Sequence, residues 1–380
     1  MKEKALWVEA IGDPPAIESK ELLEQAVLEA RRLNFTDLYL QVARTGQAWF
    51  SSSFADASPW ERAQKVGYDP LSLALEIGAR AGLKIHAWIN VFNLSTNAAA
   101  PVLKALGLGT LVSDNTGCRV DQYEEDGSPP GERGAVFQLD TPKLWLDPAQ
   151  RGVFEYTTNL VSELISTYPA LDGLHLDFFR YPYLLPIKPS SAIRVGYDFG
   201  YSAEALANFK GEVKIAEPLF QSDVQSDDAL YLPSSTSAAI AWDTWRRDQL
   251  DRYLIALRGI LHHQQALSVA VLPWADRAYL SSFQNWRRWL KRDLVDQVCL
   301  MSYTADMELF EQLVSQAVSF RSKKSKVVAG IGTYLLDDLE DIRKQAQIAT
   351  ASSADGIILF SYRNLKRRNQ DYADVLSDLN

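Results

Sequence analysis

The sequence predicts a (β/α)8 barrel, in which eight parallel strands close into a cylinder and helices surround it. Eight short apolar segments rich in β-branched and aromatic residues recur along the 380-residue chain, as expected of strands that are buried on both faces. Segments with the period of amphipathic helices lie between them. Eight strand-then-helix alternations are typical of a parallel barrel.

The predicted elements follow one another in the order that this fold requires. The strands are residues 5–10, 37–44, 84–94, 173–181, 267–274, 297–303, 327–334 and 356–362. The helices are residues 19–33, 70–81, 151–167, 240–262, 282–291, 309–320 and 338–351. In the helix 70–81, Leu71, Leu75, Gly78 and Ala79 share one face, which would pack against the barrel.

Two long excursions, residues 95–147 and 183–237, interrupt this pattern after the third and fourth strands. They are rich in Gly, Pro, Ser and Asp and lack sustained periodicity. A bare barrel has about 250 residues, so the excursions account for the surplus and one domain over residues 1–380 is predicted. Loops of this length usually have a function, and we expect both on the C-terminal face of the barrel.

Composition excludes several functional classes. The net charge of −9 argues against a nucleic-acid partner, which requires basic patches. No apolar run approaches the roughly 20 residues of a membrane span, and no Gly-rich phosphate loop follows a strand, so we expect no cofactor. Two cysteines, Cys118 and Cys299, are predicted to be free. The oligomeric state is not indicated by the sequence.

The start of the chain bears on localisation. The first predicted strand begins almost at once and no signal peptide precedes it. The sequence as it stands therefore predicts a cytoplasmic protein, or a periplasmic or secreted one if a signal peptide has been removed.

The fourth predicted strand holds the most informative residues. Side chains alternate along a strand, so His175 and Asp177 share the face opposite Leu174 and Leu176. Burying such polar groups costs several kcal/mol unless they are paired or used. Asp177 and Arg180 would stand near the C-terminal end of the strand, where barrel enzymes keep their active sites.

The same alternation on the other strands gives a set of inward-facing or rim residues. Polar and aromatic groups would converge at one rim from at least six strands, whereas a purely structural barrel would be filled by Val, Ile and Leu. We predict that these groups bind a substrate, with the rings stacking on sugars. The predicted binding residues are Gln41, Arg44, His86, Trp88, Asn90, His175, Arg180, Tyr181, Trp274, Tyr303 and Tyr334. Trp7, Glu9 and Tyr39 face inward as well.

These segments resemble a known family. Residues 172–182 read DGLHLDFFRYP and are similar to the DGIHLDYIRYP strand of the bacterial glycosyl hydrolase-like (family 10-like) TIM barrels, which are related to hydrolases of denuded peptidoglycan glycans. Residues 40–44 resemble the family's QVR strand, with Ala43 intervening. Residues 84–90, 67–71 and 145–148 resemble its HAWxN, GYDPL and WLDPG motifs. The motifs occur in the family's order along nearly the whole chain.

This resemblance implies a glycoside hydrolase, with departures. Many members carry a second acid directly after the strand-four aspartate, and here Phe178 replaces it. In the family 18 chitinase motif DGxDxDxE, the catalytic glutamate would fall on Phe179, which excludes that mechanism. Met301 to Tyr303 resembles the chitinase MxYD motif, but Asp306 is displaced by two residues.

Glycoside hydrolysis usually requires two carboxyl groups. Asp177 is predicted to be the first. We predict Asp306 as the second, because its loop could reach over the sugar, with Glu9 and Asp276 as alternatives. The expected substrate is a polysaccharide containing N-acetylhexosamine, such as a peptidoglycan glycan strand.

Two other classes remain open. A carbohydrate-binding barrel without catalysis would keep the aromatic rim and lack a competent acid pair. A metal-dependent deacetylase or amidohydrolase could be imagined from His86, His175 and Asp177. No His-x-His or His-Glu-x-x-His spacing is present, so we expect a metal-independent enzyme.

Overall fold

The computed structural model contains a closed barrel of eight parallel strands, and it describes residues 3–12, 14–140, 144–186, 198–214, 220–221, 232–233 and 235–367. The barrel strands are β1 Glu3–Val8, β2 Asp37–Arg44, β3 Lys84–Asn90, β4 Gly173–Asp177, β5 Ala266–Val271, β6 Gln297–Leu300, β7 Lys326–Gly332 and β8 Gly356–Phe360. Each strand pairs with its neighbours in sequence, and β8 pairs with β1 to close the cylinder. The predicted (β/α)8 fold is confirmed.

Helices follow the strands and cover the outside of the barrel. They are α1 Lys20–Arg32, α2 Ser58–Lys65, α3 Pro70–Ala81, α4 Pro101–Leu106, α5 Arg151–Thr167, α6 Ala203–Glu212, α7 Thr236–Ile260, α8 Ala275–Ser281, α9 Trp286–Lys291, α10 Met307–Ser319, α11 Leu339–Ala351 and α12 Tyr362–Lys366. Helix α3 begins where predicted because Asp69 caps it, accepting a hydrogen bond from the Ser72 amide at 2.8 Å.

One predicted helix differs from the structure. Residues 282–291 were predicted to be continuous, but only α9 is helical in this range, and α8 ends at Ser281 before it. Phe283 lies between the two helices with a φ of 56°. This left-handed conformation is incompatible with a continuous α-helix.

The strands separate two apolar regions. Their outward side chains pack against the helices in one large core that includes Leu174, Leu176 and Ile357. A smaller cluster fills the inside of the barrel, where Trp7, Tyr39 and Trp88 pack among smaller residues. The interior is therefore a packed core up to the level of Trp88.

Below this cluster, buried polar groups pair with one another near the N-terminal ends of the strands. The Gln297 amide donates to Glu3 Oε1 at 2.9 Å and to the Tyr39 hydroxyl at 2.8 Å. His86 Nε2 lies 2.8 Å from Asp37 Oδ1. Burial opposes ionisation of Asp37, but the hydrogen bond and charge of His86 outweigh it and lower the pKa of that carboxyl.

The two predicted excursions are described to different extents. Short antiparallel strands join Asn93–Ser95 to Leu144–Trp145 and Phe137–Leu139 to Leu184–Pro186, directly beyond the C-terminal ends of β3 and β4. Much of the second excursion, including residues 187–197 and 222–231, lies outside the described residues. Within the described part of the chain, no helix has the length and apolarity to span a membrane.

Candidate active site

A cavity of about 510 Å³ opens among the C-terminal ends of the barrel strands. Eight of the sequence-predicted residues line it: Glu9, Gln41, Arg44, Trp88, Asn90, Asp177, Arg180 and Tyr303. The cavity meets the expectation for a ligand site, since its walls are mostly apolar and a few polar groups converge in it.

Asp177 is the last residue of β4 and its carboxylate is held by two donors. Trp88 Nε1 donates to Oδ2 at 3.2 Å, and the Phe178 amide donates to Oδ1 at 2.7 Å. Burial nevertheless raises the pKa of Asp177 to about 6, with these donors and the charges of Arg180 and Arg44 acting in the opposite direction. Asp177 can therefore carry a proton at mildly acidic pH, as a general acid must.

Phe178 turns the chain sharply after this carboxyl group. Its φ of 50° places a non-glycine residue in the left-handed region, which is uncommon and is found preferentially at functional sites. Its ring packs edge-on against Trp145 at 5.6 Å. The turn ends the strand, so that Asp177 remains at the cavity and Arg180 turns toward the first excursion.

Glu9 is the second carboxylate in the cavity wall. It follows β1, is 8% exposed, and accepts a hydrogen bond from the Ser361 hydroxyl. This contact joins residues at opposite ends of the chain, because β8 lies beside β1 in the closed barrel.

Two amide side chains form a bridge across the first three strands. Gln41 accepts from the Ala10 amide at 3.1 Å and donates to Asn90 Oδ1 at 3.1 Å. These two hydrogen bonds use the Gln41 amide to link the strands. Asn90 keeps its own amide protons, which donate to no other described residue, and so can donate to a ligand.

Arg44 places a positive charge between the two carboxylates. Burial lowers the pKa of its guanidinium, whereas the charges of Glu9 and Asp177 raise it. Its side chain makes no ion pair or hydrogen bond with the residues that the structure describes. An arginine whose guanidinium makes no such bonds can bind a carboxylate or another acceptor on a ligand.

The histidines predicted to bind substrate lie beneath the cavity. His175 is fully buried, where Nε2 accepts from Trp7 Nε1 at 3.2 Å and Nδ1 lies 2.9 Å from the Ser268 hydroxyl. Burial lowers the pKa of His175 well below its usual value, and the charge of His86 acts in the same direction. His86 is paired with Asp37 and stacks on Tyr39. Neither lines the cavity, so both lie deeper in the barrel than the predicted position at its rim.

Three predicted aromatic residues are also placed elsewhere. Tyr181 is completely buried against Phe283, because the chain turns inward after Arg180, and it cannot stack on a sugar there. Trp274 and Tyr334 are 43% and 51% exposed and do not line the cavity. Tyr334 still contacts the ring of Tyr303 edge-on at 5.9 Å.

The predicted second acid, Asp306, does not reach the cavity. Its carboxylate caps α10, accepting from the Glu308 and Leu309 amides at 3.0 and 3.1 Å. The alternative Asp276 is 75% exposed and pairs with Arg287 at 2.8 Å. Of the three candidates, Glu9 alone shares the cavity with Asp177.

Several cavity residues were missed by the sequence reasoning. Phe360 stacks on Tyr303 at 5.5 Å, and Asn93 and Met301 complete the wall. The parity of β8 would have identified Phe360, because it shares a face with Ile358. Asn93 lies beyond β3, where no period indicates the direction of a side chain.

The chain is a TIM barrel with carboxylates and aromatic walls in a cavity at the carboxyl ends of its strands. Residues 4–345 match the family model described as glycosyl hydrolase-like 10, and the chain belongs to this family.

The individual relatives match only part of this chain, at low sequence identity. Glycosyl hydrolase DigH of Escherichia coli strain K12 is 27% identical over 154 residues, which make up 40% of this chain and 32% of that protein. DigH of Shigella flexneri matches to the same extent. The match therefore spans about a third of the length of these relatives.

Solved structures show the same fold. The glycoside hydrolase domain of PgaB (BpsB) from Bordetella bronchiseptica has a TM-score of 0.67 at 16% identity, covering 100% of this chain and 99% of that one. The catalytic domain of the β-amylase from Paenibacillus polymyxa has a TM-score of 0.58 at 12% identity, covering 99% and 97%.

Proposed function

We propose that this chain is a metal-independent glycoside hydrolase that cleaves glycans containing N-acetylhexosamine, such as peptidoglycan glycan strands, with Asp177 as the proton donor. The observation that carries the proposal is the partly buried carboxyl group of Asp177, whose pKa is raised to about 6 in a cavity at the carboxyl ends of the strands. A carboxyl with this pKa can protonate the oxygen of a leaving sugar near neutral pH.

The hydrogen bonds of Asp177 suit this role. When the carboxyl donates its proton to the glycosidic oxygen, Trp88 Nε1–H and the Phe178 amide stabilise the carboxylate that forms. Cleavage leaves positive charge on the anomeric carbon, and a water molecule then forms the new C–O bond there and gives its proton to a carboxylate of the cavity, which balances the proton that Asp177 donated. Glu9 is the second carboxylate of the cavity and would stabilise that charge or activate the water.

The cavity wall favours an amide-bearing sugar. Trp88, Tyr303 and Phe360 supply aromatic and apolar surface that suits the faces of sugar rings. The free amide protons of Asn90 and the guanidinium of Arg44 provide donors for an acetamido carbonyl or an acidic substituent. A plain glucan offers neither acceptor.

The direct test is hydrolysis of defined oligosaccharides. Incubation with chitin oligosaccharides, peptidoglycan glycan fragments and cello-oligosaccharides should yield shorter products from the first two, detected by mass spectrometry, and the activity should survive chelator treatment. Binding of these sugars without any cleavage would instead indicate a carbohydrate-binding barrel. Loss of activity on chelation, restored by zinc, would indicate a metal enzyme.

We expect Glu9→Gln to lower kcat by about 100-fold or more, because the second carboxylate of a glycosidase acts directly on the reacting centre. The fold should persist, since the glutamine oxygen can still accept from Ser361. Kinetics and thermal unfolding of one preparation would test both statements. Asp306→Asn is the matched control, because asparagine also caps a helix well, and it should leave kcat unchanged. The reverse outcome would reassign the second acid to Asp306.

Trp88→Phe should move the alkaline limb of the pH profile of kcat/KM to higher pH. The substitution keeps an aromatic ring but removes the indole N–H, which stabilises the ionised form of Asp177 and lowers its pKa. Without that donor, Asp177 keeps its proton to a higher pH. An unchanged limb would show that another group controls it.

A further inference from the structure

A second cavity of about 520 Å³ adjoins the candidate active site. It lies between the end of β1, the first turns of α1 and the short helix α12 that follows β8. Glu9 and Ile11 line both cavities, so they form a common wall. Neither the sequence motifs nor the proposed reaction assigns a role to this space.

The second cavity has a basic lining. Arg363, Lys366 and Arg367 line it, and Glu9 is the acidic residue among its wall residues. Lys366 Nζ lies 3.5 Å from Glu29 Oε2, so its charge is partly balanced. The side chains of Arg363 and Arg367 form no ion pair or hydrogen bond with any described residue. A positive cavity is distinctive in a chain with a net charge of −9.

The positive charge continues into the first cavity. Arg363 is near enough to Arg44 for its charge to lower the pKa of that guanidinium. Arg363 is itself half-buried and therefore only partly hydrated. Arg363 has no ion-pair partner among the described residues and repels Arg44, and a partly buried cation without a counter-charge is costly. The arrangement therefore favours a negatively charged ligand beside Arg363.

We propose that this second cavity is an anion subsite, which binds a carboxylate or phosphate group carried by the glycan whose neighbouring sugar occupies the first cavity. This inference rests on the proposed function and adds the place where an acidic group of the glycan would bind. Arg363 and Arg367 would contact the anionic group, and Arg44 would face the junction between the two cavities.

The test compares two oligosaccharides of equal length: a neutral chitin oligosaccharide and a glycan fragment with a carboxylate on alternate sugars. In the double variant Arg363→Gln/Arg367→Gln, the ratio of kcat/KM for the acidic substrate to that for the neutral one should fall by about tenfold or more, because charge-assisted hydrogen bonds are lost. Added salt should reduce the ratio in the wild type and have less effect in the variant.

The control is the double variant Arg31→Gln/Arg32→Gln, which removes an equal charge at the far end of α1 and should leave the ratio unchanged. An unchanged ratio in the double variant, or an equal loss on both substrates, would overturn the anion subsite. If the wild type cleaves neither substrate, the proposed hydrolase activity fails, and calorimetric binding of the acidic fragment to wild type and double variant still tests the subsite.

A separate titration with inorganic phosphate distinguishes the source of the anion. If the anion belongs to the glycan, phosphate should compete weakly, and the acidic fragment should bind about tenfold more tightly than phosphate. Tight phosphate binding that leaves the affinity for the acidic fragment unchanged would overturn the proposal and indicate an independent anion site.

Discussion

Asp177→Asn is expected to abolish hydrolysis and to raise the free energy of unfolding at neutral pH. The carboxyl group has a pKa of about 6 in the folded protein because burial disfavours its charge, against about 3.9 in an unfolded chain. At pH 7 the folded state therefore holds an ionised group that it disfavours. An uncharged asparagine would relieve up to about 3 kcal/mol, reduced by any hydrogen bond that it fails to make.

The size of this stabilisation depends on pH in a specific way. Below about pH 4 both the folded and the unfolded wild type are protonated at this site, so the stabilising effect of Asn should vanish. It should grow as the pH rises from about 4 to about 6 and stay constant above that range. Urea unfolding at pH 4 and pH 7 would measure it, with the exposed Asp276→Asn as the control. A variant that is less stable at pH 7 and remains active would show that Asp177 only braces the barrel.

Asp140→Ala should be the most destabilising of the substitutions considered, by about 3–5 kcal/mol. Asp140 and Arg180 form an ion pair at 2.6 Å whose side chains are 4% and 6% exposed. The guanidinium also lies over the ring of Trp145 at 4.9 Å and donates to the Tyr181 carbonyl at 3.2 Å. Removal of Asp140 would leave a buried cation without its counter-charge.

Chemical unfolding of two further variants separates charge from packing. Asp140→Asn keeps an acceptor for Arg180 and should lose less than Asp140→Ala. In the double variant Asp140→Ala/Arg180→Met the unpaired charge is gone, and much of the lost stability should return. A loss below about 1 kcal/mol in Asp140→Ala would mean that the pair behaves like a surface ion pair.

The barrel was predictable because each strand carries a local signal. Predicted strand starts lie within two residues of the observed ones, but several ends were extended too far, as in 84–94 against Lys84–Asn90. The apolar and aromatic residues continue past the last ladder hydrogen bonds into the loops that build the cavity. Periodicity alone does not distinguish a strand from an extended loop with the same composition.

The side chains that line the cavity were predictable within the strands, where the alternation holds, and were not predictable in the loops beyond them. Alternation correctly predicted that Glu9, Trp88 and Asp177 face inward. It did not give depth, so His175 was taken for a rim residue although it lies below Asp177 on the same face. Asp306 does not reach the cavity because its loop turns at once into α10, and its carboxylate caps that helix.

Contacts between residues that are far apart in the sequence could not be recognised from the local sequence. The Ser361 hydrogen bond to Glu9 depends on closure of the barrel, and the pairing of Asp140 with Arg180 depends on how the first excursion folds back. Such contacts follow from tertiary structure, so motif and period could not reveal them.

Two glycines of strand β7 lie beside Tyr303, which lines the cavity. Gly330 and Gly332 present no side chain toward Tyr303, and a Cβ at Gly332 would lie 3.0 Å from the Cβ of that tyrosine. At Gly330, a Cβ would come within 2.3 Å of the Leu300 carbonyl oxygen. The absence of a side chain at Gly330 therefore permits close pairing of β7 with β6, and its absence at Gly332 leaves room for the ring of Tyr303. Even alanine at Gly332 would displace the ring of Tyr303 and so change the shape of the cavity that this ring lines.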